Sequence, residues 1–189
     1  MPVCIVTPKR FEDARGWFSE SYNAARFASF GIDAAFCQDN LSFSAEPLTL
    51  RGIHFQREPH SQAKLIRCVK GSIFDVAVDL RRASPTYGRS VSTVLTAQGG
   101  EQLFVPAGFG HAYLTLVPDC EVAYKVDAYY APDAEGGIAW NDPRLAIAWP
   151  LNGGLPMLSA KDAALPRLAD SAFDFPYDGR PLTSLTQED

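Results

Sequence analysis

With 189 residues, 47% of them hydrophobic, the chain can bury a sizeable core, and its length suits one domain better than two. A formal net charge of −5 and a pI near 5.2 provide no overall basic field, which argues against nucleic acid or anionic lipid as partners and leaves any Arg or Lys binding local. The four cysteines, Cys4, Cys37, Cys68 and Cys120, form no C-x-x-C pair and follow no signal-like apolar start; no zinc site or disulfide framework is expected, and a reducing cytoplasm is the expected compartment. No apolar run approaches the roughly 20 residues that a bilayer-spanning helix needs, so no membrane partner is expected.

In chain order, Ala24 to Phe30, closed by Gly31, predicts a helix. Short apolar or alternating runs then dominate: Leu65 to Val69, Ser72 to Leu80, Ser90 to Thr96, Gln102 to Val105, His111 to Val117 and Glu121 to Asp127. Turn residues separate them, among them Lys70-Gly71, Gln98-Gly99-Gly100, Pro106-Ala107-Gly108 and Pro118-Asp119. This is the pattern of an all-β sandwich or barrel with few short helices. A short helical turn near Lys161 to Ala164 follows the cap candidate Ser159. The tail after Ala169, with Pro176, Gly179 and Pro181, is expected to be an extended or loosely held strap. The whole chain, 1–189, reads as one domain, with a core at about 11–169 and the tail at 170–189.

Chemistry-bearing residues concentrate early. Arg51-Gly52-Ile53-His54-Phe55-Gln56, with Gln62 and Lys64 close behind, gathers a guanidinium, a proton acceptor and an ammonium in a chain with three histidines. Strand alternation puts Lys64 on the face of Gln62, and His54 on the face of Gln56. Tyr124 shares its parity with Val122 and Val126 and should point inward. Several inward polar groups together imply a cavity, because an unpaired buried donor costs roughly 1 to 3 kcal/mol.

Each residue also has a plainer reading. His54 on a strand can be a hydrogen-bonded structural residue, Lys64 a solvated surface group, and Tyr124 a core aromatic with its hydroxyl satisfied. Asp75 and Asp79 are expected to partner arginines such as Arg67 or Arg81, with Asp75 orienting Lys64 as the alternative. His60 is expected in an exposed loop, and Trp140 and Trp149 in the core. A metal site on such strands would want a His-x-His pair, yet the sequence offers His54-Phe55-Gln56, so metal-independent chemistry is favoured and no metal ligand is assigned.

Ordered motifs extend this set over most of the chain. They include Phe11-Glu12-Asp13-Ala14-Arg15-Gly16-Trp17-Phe18-Ser19-Glu20, Gln38-Asp39-Asn40, the Arg51 to Gln56 stretch and Pro59-His60-Ser61-Gln62-Ala63-Lys64. Further on come Asp75-Val76-Ala77-Val78-Asp79-Leu80-Arg81, Pro106-Ala107-Gly108-Phe109-Gly110-His111, Tyr124-Lys125, Tyr129-Tyr130, Glu135, Trp140-Asn141-Asp142-Pro143 and Ser159-Ala160-Lys161-Asp162. In these motifs the chain resembles the dTDP-4-dehydrorhamnose 3,5-epimerases. The resemblance implies a cupin-type jelly roll, no cofactor, and a dTDP-4-keto-6-deoxyhexose substrate whose protons beside the C4 ketone are removed and returned.

By the same resemblance His54 is the general base, oriented by Asp162, Lys64 stabilises the enolate oxygen, and Tyr124 is the acid on the opposite face. Arg15 and Arg51 would meet the diphosphate; Glu20, Gln38, Asp39 and Asn40 the deoxyribose and thymine; Tyr130 would stack on the base. His111, Glu135 and Lys161 complete the implied binding set. The resemblance also implies exchange of amino-terminal strands between two subunits, and with it a homodimer. The sequence departs from the family pattern at Leu41, where a histidine is common, and at Gly110-His111-Ala112-Tyr113. Rival readings are a C3-only or C5-only epimerase, a ketoisomerase, a metal-dependent cupin oxygenase, or a sugar-nucleotide binding module without catalysis.

Overall fold

Alternating side chains and frequent turn residues build two facing β-sheets in the computed structural model, which describes residues 1–188; Asp189, the last residue of the expected tail, lies outside the described residues. Strands β1 (Cys4–Val6), β2 (Arg10–Asp13) and β3 (Gly16–Ser19) precede helix α1 (Ala24–Ser29). There follow β4 (Gln38–Ser44), β5 (Leu50–Gln56), β6 (Lys64–Lys70), β7 (Ser72–Asp79), β8 (Ser90–Thr96), β9 (Gln102–Val105), β10 (Phe109–Thr115) and β11 (Cys120–Val126). The chain closes with β12 (Glu135–Gly137), helix α2 (Ala160–Ala163) and β13 (Thr186–Glu188). All six runs expected to be strands are strands, although β10 starts and ends two residues earlier than its run.

One sheet has the order β13-β1-β9-β6-β11-β4, the other β12-β5-β10-β7-β8, and β2 and β3 pair only with each other. Period-two alternation sorts each strand between inside and outside. On β6, Ile66 and Cys68 enter the interior between the sheets, where they meet Ile73, Ala77, Leu103 and Val122, whereas Leu65 faces out. That outer face is covered by α1 through Phe27 and by Ile32. Six residues are too few for a helix to stand alone in water, so packing of Phe27 and capping by Asn23, which accepts from the N–H of Ala25 and Arg26, hold α1 in place.

The tail takes the first of its two expected forms. It is extended but not loose: Phe173 and Phe175, two residues apart on an extended chain, bury their rings against Phe55 with centroids 5.0 and 5.6 Å away. Arg82 donates to the carbonyls of Ser171 and Phe173, Arg81 to Asp178, and β13 pairs in parallel with β1. Burying one such phenyl ring contributes about 1.5 to 3 kcal/mol, enough to order the strap locally.

Candidate active site

The apolar interior gives way to polar residues at one end of the sandwich, and a bulge on β5 begins that site. His54 pairs with His111 of β10, but three residues back Arg51 pairs with Tyr113, only two along, so β5 carries one extra residue. Gly52 makes this possible: its φ is +117°, and a Cβ there would sit 2.6 Å from the His111 carbonyl oxygen and 2.7 Å from the Ala112 Cβ. Arg51 and His54, whose odd spacing would place them on opposite faces of a regular strand, therefore line one cavity of about 520 Å³. Ile53 and Phe55 point the other way, into the core beneath the tail.

Helix α2 delivers the partner of His54. Ser159 caps it, accepting from the Asp162 N–H at 3.0 Å, and Asp162 Oδ1 lies 2.5 Å from His54 Nε2. Burial pushes the Asp162 carboxyl up. Hydrogen bonds from His54, Ser159 and the Gly52 N–H, with the His54 charge, outweigh burial and hold it below the usual carboxylate range. With Nε2 engaged, Nδ1 is the ring nitrogen left for a ligand proton.

Lys64 and Tyr124 come from the facing sheet. Tyr124 of β11 lies opposite Ile66, and Val126 opposite Lys64, so the two side chains share the inner face of the β6–β11 pair and line the cavity with His54. Burial lowers the Lys64 pKa to about 8, against the opposing pull of Asp75 and Glu135. Burial also raises the Tyr124 hydroxyl above its ordinary value, although Arg51 works against this, so the phenol keeps its proton at neutral pH.

A second, smaller cavity shares His54, Lys64, Tyr124 and Glu135 with the first and makes the cleft continuous. It adds Gln38, Asn40, Gln56, Gln62 and Tyr130. Glu135 accepts from Lys161 at 2.5 Å and from the Tyr130 hydroxyl at 2.8 Å, and these bonds hold it below its usual range despite burial. Gln38 accepts from the Tyr130 N–H and donates to Asn40. Gln56 spends its amide on the backbone of His60, Tyr129 and Ala131, holding the 129–131 segment at the rim.

Asp75 does not pair with an arginine. Its Oδ1 lies 2.8 Å from His111 Nε2 inside the sandwich, while Arg67 projects from the outer face of β6 and cannot reach it. Asp79 does pair with Arg81, at 2.8 and 2.9 Å. His60 is exposed, and Trp149 packs half-buried against the core beneath the tail.

Thus the cleft gathers His54, Lys64, Tyr124, Asp162, Arg51, His111, Glu135, Lys161, Gln38, Asn40 and Tyr130. It does not gather Arg15, Glu20 or Asp39. Asp39 alternates to the outer face of β4 between Gln38 and Asn40 and pairs with Lys125 directly across the strands at 2.8 Å. Arg15, on the exposed β2–β3 hairpin, folds back on Asp13, and Glu20 is exposed just after β3. Among the cleft residues that escaped the sequence reading are Ser42 and Tyr113, whose hydroxyls lie 2.7 Å apart. The signal was period two, since Ser42 continues Gln38 and Asn40, and Tyr113 continues His111.

A β-sandwich whose cleft sets a histidine–carboxylate pair against a phenol and an ammonium has the make-up of a cupin-type acid–base enzyme. A family model described as dTDP-4-dehydrorhamnose 3,5-epimerase matches residues 2–170. The enzyme of that name from Salmonella typhimurium is 49% identical over 167 residues, which are 88% of this chain and 90% of that protein. Among solved structures, an epimerase from Legionella pneumophila in complex with dTDP-4-keto-L-rhamnose is 42% identical with a TM-score of 0.83, over 88% of this chain and 87% of that one. A 3'-monoepimerase from Streptomyces bikiniensis in complex with dTDP-quinovose is 36% identical with a TM-score of 0.82, over 88% of this chain and 84% of that one. The chain belongs to the dTDP-4-dehydrorhamnose 3,5-epimerase family, a family of isomerases.

Proposed function

We propose that the chain inverts C3 and C5 of dTDP-4-dehydro-6-deoxy-D-glucose, giving dTDP-4-dehydro-L-rhamnose. The observation that carries this reading is the distribution of proton-handling groups over the two walls of one cleft. His54 stands on one sheet, backed by Asp162 from α2, and Tyr124 with Lys64 stands on the other. The C4 ketone acidifies the protons on C3 and C5. His54 Nδ1 takes one of them, and the C–H electron pair moves into an enolate whose oxygen the Lys64 ammonium stabilises, an interaction typically worth about 3 to 4 kcal/mol. The Tyr124 hydroxyl returns a proton to the other face of that carbon, which inverts it. Solvent then restores the phenol and takes the proton from the imidazolium before the second carbon reacts.

Arg51, His111 and Lys161 supply local positive or donor groups for the diphosphate in a protein of net charge −5. Gln38, Asn40 and Glu135 suit the nucleoside, and Tyr130, 55% exposed at the rim, offers a stacking face. Arg15 and Glu20 reach a cleft only in a homodimer in which the hairpin of one subunit serves its partner. The exposed Phe11, Trp17 and Phe18 on that hairpin support this arrangement, and sedimentation of a monomer at micromolar concentration would remove it. Four unpaired cysteines suit a reducing cytoplasm, and no helix among the described residues is long and apolar enough to cross a membrane.

The test of the reaction is deuterium uptake from D₂O, followed by NMR. Deuterium at both C3 and C5 with L-configured product is the expected result, and no exchange at either carbon sinks the proposal. A second reading, inversion at C3 alone, draws support from the likeness to the Streptomyces bikiniensis monoepimerase and predicts deuterium at C3 only.

A further inference from the structure

Lys64 has to be charged to stabilise an enolate, and its burial works against that charge. The charged and titratable groups around it come from five strands and α2: Arg51 and His54 on β5, Asp75 on β7, His111 and Tyr113 on β10, Tyr124 on β11, Glu135 on β12, and Lys161 and Asp162 on α2. Two of them are carboxylates that favour the ammonium form. Glu135 is already committed to Lys161 and Tyr130. Asp75 is not. It is wholly buried and gives one oxygen to His111, and its Oδ2 is, among the described residues, the buried side-chain oxygen or nitrogen that lacks a hydrogen-bond partner. A buried carboxylate oxygen without a donor is costly unless a positive charge compensates it. Arg81, the buried arginine just beyond the end of β7, is spent on Asp79 and Asp178, and Arg51 donates to Ser44 and the Phe43 carbonyl, whereas Lys64 feels the charge of Asp75 more than that of Glu135 and is the cation placed to compensate it.

We propose that Asp75 is a positioning residue for the epimerisation: one carboxylate fixes the His111 imidazole with Oδ1 and supplies, with its other oxygen, the counter-charge that keeps Lys64 an ammonium beside the substrate ketone. Its role in catalysis rests on the reaction proposed above. The charge relation between Asp75 and Lys64 does not, because it exists in the free protein.

Asp75→Asn keeps the shape and removes the charge. Titration of the Lys64 side chain by NMR in the full chain, without substrate, is expected to place its midpoint lower by roughly one unit or more in the variant, as loss of a nearby opposite charge requires. The alkaline limb of kcat/KM should move down by the same amount, with activity on the acid side of that limb much less affected. A role confined to packing or to holding His111 would leave the Lys64 midpoint where it is, and that result overturns the proposal. Failure of the unaltered protein to exchange deuterium would instead remove the reaction and leave the lysine titration to decide the charge relation. If Asp75→Asn folds poorly, adding Lys64→Met should restore thermal stability by removing the uncompensated cation. A double variant no more stable than Asp75→Asn alone also overturns the proposal.

Discussion

Two histidine–aspartate pairs stand side by side in the cleft, and they differ in what reaches them. His54 and His111 lie directly opposite each other on β5 and β10, and each engages an aspartate through Nε2. The His54 side chain is 31% exposed to the cleft and its partner arrives on α2, 108 residues further along; the His111 side chain is 9% exposed and its partner sits on the adjacent strand β7. Asp162 is satisfied by His54, Ser159 and the Gly52 N–H, whereas Asp75 keeps an unpartnered oxygen. The same chemical pair thus suits proton transfer where the imidazole is open to the cleft, and suits binding and charge balance where the imidazole shows only its edge and the carboxylate is wholly buried.

Swapping the imidazoles is the strongest way to break this comparison. His54→Asn is expected to lower kcat/KM for deuterium exchange by about 10²- to 10⁴-fold, the usual contribution of a general base. His111→Asn should chiefly raise KM. Equal loss of exchange in the two variants would mean that the buried pair also moves protons. Next in size, Tyr124→Phe should reduce completed inversion by at least about tenfold more than it reduces proton exchange, since removal from the first face needs no phenol. Parallel loss of exchange and inversion would argue against an acid on the second wall.

The pH profile sharpens the comparison by testing Lys64, which lies between the two pairs in function. Because its pKa falls to about 8, kcat/KM should decline above that pH, approaching tenfold per unit as the ammonium is lost. Stability responds in the opposite sense. The unfolded chain, with an ordinary lysine near 10.5, holds more protons than the folded one between about pH 8 and 10.5, so the contribution of Lys64 to stability rises with pH across that window. Rate measurements and thermal melts from pH 7 to 10 check both signs, and a flat rate profile to pH 10 would remove Lys64 from the chemistry.

What could be read from the sequence follows from which physical signal each residue obeys. Alternation put Lys64 with Gln62 and turned Tyr124 inward, as the strands do. Alternation would also have turned Asp39 away from Gln38 and Asn40, had the three residues not been taken as one motif. It fails for Arg51 and His54, because the bulge at Gly52 depends on the close approach of β10, a contact more than 50 residues distant in the chain. The partner of Asp75 was illegible for the same reason: it depends on the register that sets Ala77 against His111. Ser159 and Asp162 were legible because a cap and its helix are local.

That locality yields the smallest prediction and the finest division between the two pairs. Asp75 is held by a strand ladder on both sides, with β8 and β10 as neighbours, so no single side-chain bond fixes its position. Asp162 rides on a four-residue helix, too short to persist without its cap, and Ser159 Oγ accepts the Asp162 N–H itself. Ser159→Ala is therefore expected to cost about 1 kcal/mol of stability. It should also lower kcat by a few-fold by loosening the carboxylate that orients His54, while leaving the Lys64 titration unmoved. If thermal melts show the stability loss and kcat stays at the level of the unaltered protein, the His54–Asp162 pair holds Asp162 in place and the helix contributes only its fold.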